Sequence, residues 1–480
     1  MNLWSAIYGQ VPIIGSYVLL LDIFAVIFIV FYERQEPEKT VAWLFVILAL
    51  PGIGFLAYLL IGRDPRRRKF RGKKVQDRRL IDGAERQAEY MERVQGNLSS
   101  RQREILQIGC ASASLMPSFD NQVEILSDGQ RKFEALKAAI RAARHHIHLE
   151  YFIWQRDQIG RELEALLFQK AREGVQVRLL LDGFGSWRVR RREMDEWRAQ
   201  GIKASFFFPV SKASLLRINY RDHRKIAVID GRIGFTGGFN VGDNYLGQGP
   251  LGPWRDTHLR IEGSAVHDLQ SIFIGDWEFA TGETIAGPEY VPPSAKPGHQ
   301  IVQINASGPD SDWAAIRFMY FRMITSATRS IRLTTPYFIP DRSLIVALET
   351  SALAGVDVRI ITPGIPDHPP VIWAGRTFMR RLIEAGVQFY EYQNGFIHAK
   401  VLTTDDNLAS VGTANFDIRS LDIDFEVNAL MIGEEITRAL NRQFEQDQAH
   451  SRPVTLDEFI HRPLGTRVKE SIARLASPLF

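Results

Sequence analysis

The chain has 480 residues, 45% of them hydrophobic and 24% charged, with a net charge of +4 and one cysteine, Cys110. That length exceeds one typical core and calls for two folded units plus extra segments. The small net charge argues against a uniformly basic surface, and a lone cysteine excludes an intramolecular disulfide or a cysteine-based zinc site.

The first 62 residues differ from the rest. Val11 to Tyr32 is a run of 22 residues whose one charge is Asp22, and Thr40 to Gly62 carries no charge. Each run exceeds the ~20 residues that cross a bilayer core as a helix, so residues 1–62 read as two transmembrane helices. Met1 to Gln10 holds no Lys or Arg, which speaks against a cleaved signal peptide. Pro51-Gly52-Ile53-Gly54 interrupts the second run, where a kink or a shallow re-entrant path competes with a full span.

Residues 63–105 follow as a basic juxtamembrane segment and a polar, helix-prone linker. Between Arg63 and Arg79 stand ten basic residues against Asp64 and Asp77, whereas the connector Glu33 to Lys39 offers only Arg34 and Lys39. The positive-inside rule then puts the basic segment and both termini in the cytoplasm, in a multi-pass membrane protein. A cationic stretch at a membrane also suits anionic lipid headgroups.

From residue 106 the chain repeats itself. His146 to Ile153 alternates like Ser330 to Leu333 and on to Ile339, and Gly174-Val175-Gln176-Val177-Arg178-Leu179-Leu180 matches Gly355-Val356-Asp357-Val358-Arg359-Ile360-Ile361. Apolar-periodic helices, Leu163 to Glu173 and Leu344 to Ala354, precede the latter two runs. Strand, helix, strand order predicts an α/β fold with βαβ units and a largely parallel sheet. The repeat is too long for a solenoid, so it marks a duplicated domain, 106–290 and 291–480. The Pro-rich stretch Gly287 to Gly298 sits at the junction. Two such copies are expected to form βα sheets related by a pseudo-two-fold axis.

Each copy holds the same motif. His223, Lys225 and Asp230 are followed by Gly237-Gly238-Phe239-Asn240; His398, Lys400 and Asp405 are followed, at the same distance, by Gly412-Thr413-Ala414-Asn415. On a strand, the His and Lys of each copy leave the same face. Asp230 and Asp405 are grouped with the catalytic residues, although their opposite parity suits a supporting role. The Gly-x-x-Asn tails, with Gly238, Thr413, Asn240 and Asn415, supply N–H groups and amides suited to a substrate phosphate.

Brought face to face, the copies would give two imidazoles and two ammonium groups around one phosphodiester. One neutral ring can attack phosphorus while the other, protonated, donates to the leaving alkoxide. Two lysines can stabilise the equatorial charge without a metal or cofactor. A Lys beside each His also disfavours cation binding. Carboxylates must orient such rings. Asp256 and Glu426 each precede a matched glycine, Gly263 and Gly433, by seven residues, and each is expected to bind the Nδ1–H of one of the two rings. His145, His146 and His148 cluster on a strand edge and read as non-catalytic, and Trp254, Trp277, Trp313 and Trp373 read as packing residues, with the pocket mouth as the alternative place for Trp254.

The paired motifs resemble those of the phospholipase D superfamily, and more closely those of bacterial cardiolipin synthases. The likeness runs through the N-terminal hydrophobic hairpin, Glu150-Tyr151-Phe152, Asp222-His223-Arg224-Lys225, Pro253 to His258, Thr335 to Pro340, Gly395 to Lys400 and Gly412 to Ser420. Asp424 departs from the Asn common at that position. The resemblance implies phosphatidyl transfer between two phosphatidylglycerol molecules through a phosphatidyl-histidine intermediate. By analogy His223 is the nucleophile and His398 the general acid, in an enzyme of the bacterial inner membrane. A membrane-bound hydrolase of the same superfamily differs only in using water as acceptor, which residues alone do not decide. A nuclease would need an extended basic groove, so no nucleic-acid partner is expected. Acyl-chain preference and oligomeric state leave no mark on the sequence.

Overall fold

The computed structural model describes residues 17, 20–33, 37–62, 90, 92, 98–113, 115–209, 219–475 and 477. These divide into two compact units, one taking in the residues up to 62 with 219–220, the other the residues from 90 onward. The basic segment 63–79 and most of the predicted linker helix lie outside the described residues.

In the first unit, helical residues 20–28 run into a π turn at Ile29–Glu33. Helix α1 (Pro37–Ala49) then stops, the chain reverses at residues 50–52, and α2 (Ile53–Ala57) returns along it into a second π turn, Tyr58–Gly62. Pro51 cannot continue the helical ladder, and Gly52 takes φ of 74°. Gly54 lies so close to α1 that a Cβ there would stand 2.5 Å from the Val46 carbonyl oxygen. Asp22, the one charge of the first apolar run, accepts the Gly52 N–H at 3.2 Å and so ties that run to the reversal. This corrects the expectation of a second full span: the run is a helical hairpin. No helix among the described residues is long and apolar enough to cross a membrane.

The second unit opens with α3 (Ser100–Ala113), the continuation of the predicted linker helix. Ile105 and Leu106 on it are fully buried in the apolar core of the later repeat, so this helix is part of the fold.

Two matching series follow. The first is β1 (Ser118–Asp128), α4 (Gly129–Ala142), β2 (His146–Tyr151), α5 (Gln158–Arg172), β3 (Gln176–Asp182), α6 (Arg191–Ala199), β4 (Lys203–Phe207), β5 (Ile226–Ile229), β6 (Ile233–Gly237), β7 (Trp254–Glu262) and α7 (Ala265–Thr281). The second begins with β8 (Gln300–Ser307), α8 (Ala315–Thr325), β9 (Ser330–Thr334), the short β10 (Phe338–Ile339), α9 (Arg342–Leu353), β11 (Asp357–Pro363), α10 (Pro369–Glu384) and β12 (Gln388–Tyr392). It continues with β13 (Phe396–Ile397), β14 (Val401–Thr404), β15 (Leu408–Gly412), β16 (Phe416–Asp417), α11 (Ile418–Asp422), β17 (Glu426–Ile432) and α12 (Glu434–Ala449). Strand β18 (Ser451–Val454) and helices α13 (Asp457–Ile460) and α14 (Leu464–Leu475) close the described chain.

Strand order makes the duplication explicit: β4-β3-β2-β5-β6-β7-β1 in one half and β12-β11-β9-β14-β15-β17-β8 in the other. Antiparallel pairing of β1 with β8 joins the halves into one continuous sheet. Each half keeps its own apolar core. The sheet is mixed rather than largely parallel. Within each half β2-β3-β4 and β9-β11-β12 run parallel, because helices cross over between them, and the short β13 pairs parallel with β7 of the other half. The β5–β6 and β14–β15 pairs are joined by three-residue turns and the β6–β7 and β15–β17 pairs by longer connections, and all four are antiparallel ladders.

Candidate active site

The motif segments do not lie in a ladder of their own repeat, as the strand expectation had it. His223-Arg224-Lys225 is extended chain just before β5, and His398-Ala399-Lys400 links β13 to β14. Each segment pairs instead with the opposite repeat. Asp222 bridges Phe425, and the His223 N–H donates to the Phe425 carbonyl at 3.0 Å. Likewise Ile397 aligns with Arg255, and the His398 N–H donates to the Arg255 carbonyl.

This crossing register puts each histidine beside a carboxylate from the other half. Nδ1 of His223 lies 2.8 Å from Glu426 Oε1, and Nδ1 of His398 lies 2.8 Å from Asp256 Oδ2. Both carboxylates are fully buried. With Nδ1 engaged as a donor, Nε2 is the nitrogen each ring has left for a reacting group. The two lysines are anchored alike: Lys225 Nζ donates to the His223 carbonyl at 2.7 Å, and Lys400 Nζ to the His398 carbonyl at 2.6 Å.

Electrostatics links the two copies. Burial pushes the His223 imidazole down to about 4; Glu426 pulls it up, while Lys225 and the more distant Lys400 push it further down. Burial and Lys400 also lower His398, against the upward pull of Asp256. Lys225 falls to about 8 and Lys400 to about 7, in both cases chiefly through burial, and each feels both Glu426 and Asp256. Burial alone would raise Glu426, but His223, Lys225 and the Thr413 hydroxyl outweigh it and hold the carboxylate ionised. The arrangement is two rings both held toward their neutral forms, beside two lysines whose protonation an anionic ligand would reinforce.

The remaining motif residues serve the carboxylates and the fold, which corrects several sequence assignments. Gly238 was expected to hold phosphate, but its position is set by crowding: a Cβ there would collide with the Asp256 carboxylate. Thr413, at the matching position, donates its hydroxyl to Glu426 Oε2 and accepts the Val427 N–H at 2.9 Å. Asn240 accepts the Ile153 N–H at 3.1 Å and donates to the Tyr245 hydroxyl at 3.0 Å, which leaves one amide hydrogen for a ligand. Asn415 is buried, with a side-chain hydrogen bond to Asp417.

Asp230 and Asp405 leave the catalytic group altogether. They end β5 and β14 in left-handed turns, both at φ of 54°. Asp230 accepts the N–H groups of Arg144, His145 and His146, at 2.8, 2.8 and 2.9 Å. Asp405 does the same for Thr328, Arg329 and Ser330, and also receives Arg101. Each therefore clamps the start of the neighbouring strand, five extended residues or roughly 16 Å of chain from its Lys. Asp230→Ala is expected to cost about 2–3 kcal/mol of stability by stranding these donors, with kcat per folded molecule unchanged; a denaturant titration beside an activity assay measures both.

Sequence reasoning did not assign roles to several neighbours of the rings. Phe152 meets His223 edge-on at 5.0 Å, and its ring lies 5.6 Å from Lys225 Nζ. Trp254, for which the sequence leaves packing and the pocket mouth both open, stands 5.3 Å from His398. Tyr337 donates to Asp367 at 2.5 Å, and Asp367 acts on Lys400. Behind His223 lies a buried acidic layer: Arg224 pairs with Asp276 at 2.5 Å, and Asp182 accepts the Asp222 N–H at 2.9 Å. Burial raises the pKa of Glu150 and of Asp222 well above the usual carboxylate range, reinforced by the charges of Asp222 and Asp276 on Glu150 and of Asp276 and Asp182 on Asp222. Asp424 ion-pairs with Arg419 at 3.1 Å, and burial still raises it to about 7. Adjacency in Asp-His-Arg-Lys was the signal for Asp222. His146 and His148 are buried on β2, which lies inside the sheet between β5 and β3, among Tyr290 and Phe273 and remote in register from His223.

A sequence profile described as "Cardiolipin synthase, PLD-like domain" matches residues 136–277 and again 320–448, one match in each half. A second, "Phospholipase_D-nuclease N-terminal", matches residues 20–63. Cardiolipin synthase of Geobacillus thermodenitrificans is 42% identical over 478 residues, covering 98% of this chain and 95% of that protein. Major cardiolipin synthase ClsA of Bacillus subtilis is 42% identical over 480 residues, covering 98% and 99%. Among solved structures, phosphatidylserine synthase of Haemophilus influenzae aligns with a TM-score of 0.60 at 15% identity, over 78% of this chain and 100% of that one, a likeness of fold. With both halves matched and relatives aligned end to end, the chain belongs to the PLD-like cardiolipin synthase family.

Proposed function

We propose that this protein is a membrane-held cardiolipin synthase, moving the phosphatidyl group of one phosphatidylglycerol to a hydroxyl of a second and releasing glycerol. The observation that carries the reading is the pair of His–carboxylate dyads, each built from both repeats, with a buried lysine on either side. Nε2 of neutral His223 attacks phosphorus. The P–O bond to glycerol breaks as the imidazolium of His398 gives its proton to the departing alkoxide. The hydroxyl of the second phosphatidylglycerol then returns a proton to His398 and attacks phosphorus, and the P–N bond breaks to restore His223. Lys225 and Lys400 stabilise charge on the equatorial oxygens in both steps. Glu426 and Asp256 hold the rings in the productive tautomer.

The same reading assigns residues 1–62 to the bilayer. Phe24, Phe31, Phe45, Leu48, Ile53 and Leu56 are all exposed there, an apolar exterior suited to acyl chains. The protein is then a multi-pass or re-entrant membrane protein with its catalytic unit on the cytoplasmic side.

Purified protein in detergent micelles, given labelled phosphatidylglycerol, is expected to form cardiolipin and glycerol in equal amounts. Phosphatidic acid in place of cardiolipin would identify water as the acceptor and overturn the transferase reading. No product of either kind would overturn the enzymatic one.

A further inference from the structure

Helix α14 is amphipathic in the wrong sense for a helix that only covers a core. Its inward face holds Ala473, which joins Ile339, Val371 and Ala374 in a small apolar cluster. It also holds Glu470, whose buried carboxylate receives Arg462 at 2.5 Å. Its outward face carries Leu464, Val468, Ile472 and Leu475, exposed by 74, 48, 63 and 84%. Successive residues turn by about 100°, so these four form one stripe along three turns. Arg467 and Arg474 border the stripe on one side and Lys469 on the other. Lys469 Nζ lies 5.9 Å from the ring of Trp373 on α10, which is itself partly exposed. Glu470, the one acid of the helix, faces inward. The outward face is therefore apolar, fringed only by cations.

This helix is tied to the rim of the site. It packs along α10, whose first turn follows Asp367, the partner of Tyr337 and a neighbour in charge of Lys400.

We propose that α14 is a surface-docking helix that lays its aliphatic stripe into the headgroup–acyl boundary of an anionic bilayer next to the catalytic mouth. Aliphatic side chains toward the acyl region and flanking Lys and Arg toward phosphates are the pattern of an interfacial helix. A second copy of the same helix would instead oppose cations to cations. The proposal deepens the lipid reading above and rests on it only where turnover is measured.

The full-length protein is compared in nanodiscs of phosphatidylcholine with and without phosphatidylglycerol, by hydrogen exchange over residues 464–475. Docking predicts exchange about tenfold slower on the anionic discs, lost in the Val468→Asp/Ile472→Asp variant and weakened in Arg467→Glu/Arg474→Glu. The aspartate pair should also raise KM for bilayer phosphatidylglycerol about fivefold, with kcat on a short-chain, monomeric phosphatidylglycerol held within about twofold. Equal exchange on both discs, unaltered by either pair of substitutions, would overturn the proposal. Protection that instead grows with protein concentration in detergent would also overturn it, in favour of a second copy. If the aspartate pair unfolds the protein, the arginine pair decides alone: unchanged protection on anionic discs rejects docking. The exchange measurement needs no turnover, so an inactive protein would refute the proposed reaction and still report on the helix.

Discussion

His223→Asn is expected to lower kcat by roughly 10⁴-fold or more and to leave no phosphatidyl group on the protein after acid quench with labelled phosphatidylglycerol. His398→Asn is expected to be nearly as slow, by about 10²- to 10⁴-fold, yet to accumulate a labelled adduct at His223. The asymmetry follows from the order of roles proposed for the two rings, which have matching carboxylate partners and are both lowered by burial and the lysines. Burial and two lysines keep His223 neutral near pH 7, with its Nδ1 on Glu426 and its Nε2 left to attack. Without His398 the first bond change loses its acid, but the second loses the base that activates the incoming hydroxyl, so the adduct outlives the donor. Label retained by His223→Asn and absent from His398→Asn would exchange the two roles.

Glu426→Gln is expected to cost about 10²- to 10⁴-fold in kcat, because an amide can present the wrong group to Nδ1 and turn the ring to the unproductive tautomer. Its pH profile separates this from simple misfolding. Glu426 raises the pKa of both His223 and Lys225, so its removal lowers both. Lys400 at about 7 and Lys225 at about 8 are both raised by Glu426, so without it both lose their protons at lower pH. The basic limb of kcat/KM should move to lower pH in the variant. A basic limb fixed at its wild-type position would mean that the carboxylate does not act on the lysine. Thr413 anchors the far oxygen of Glu426, so Thr413→Val is expected to reproduce the effect in weaker form.

The two histidines and two lysines are legible in the sequence because a rare spacing occurs twice. Asp256 and Glu426 are legible for a subtler reason: each stands seven residues before a glycine that ends the same strand in its own repeat. Which ring each carboxylate meets is not legible. It depends on Asp222 bridging Phe425 and on Ile397 aligning with Arg255, contacts between halves that no local pattern encodes. Asp230 and Asp405 mislead for the opposite reason. They recur with the motif because the turn after it must cap the start of a neighbouring strand, and recurrence alone does not separate a fold requirement from a chemical one. The parallel strands follow from the helix that precedes each. The antiparallel ones, β5 to β7 and β14 to β17, depend on three-residue turns after β5 and β14 and on the longer connections that bring β7 and β17 alongside. Hydropathy overstates the second N-terminal run, since it weighs side chains and is blind to a proline that breaks the ladder and a glycine that lets two helices touch.

Because every acid–base couple draws one member from each half, neither half alone contains a working couple. The smallest unit able to act is a doublet, whether fused in one polypeptide or assembled from two. Drift in one half is felt by the histidine of the other. The contrast between Gly238, which vacates space for a short carboxylate, and Thr413, which steadies a longer one, marks how far the twins have already specialised.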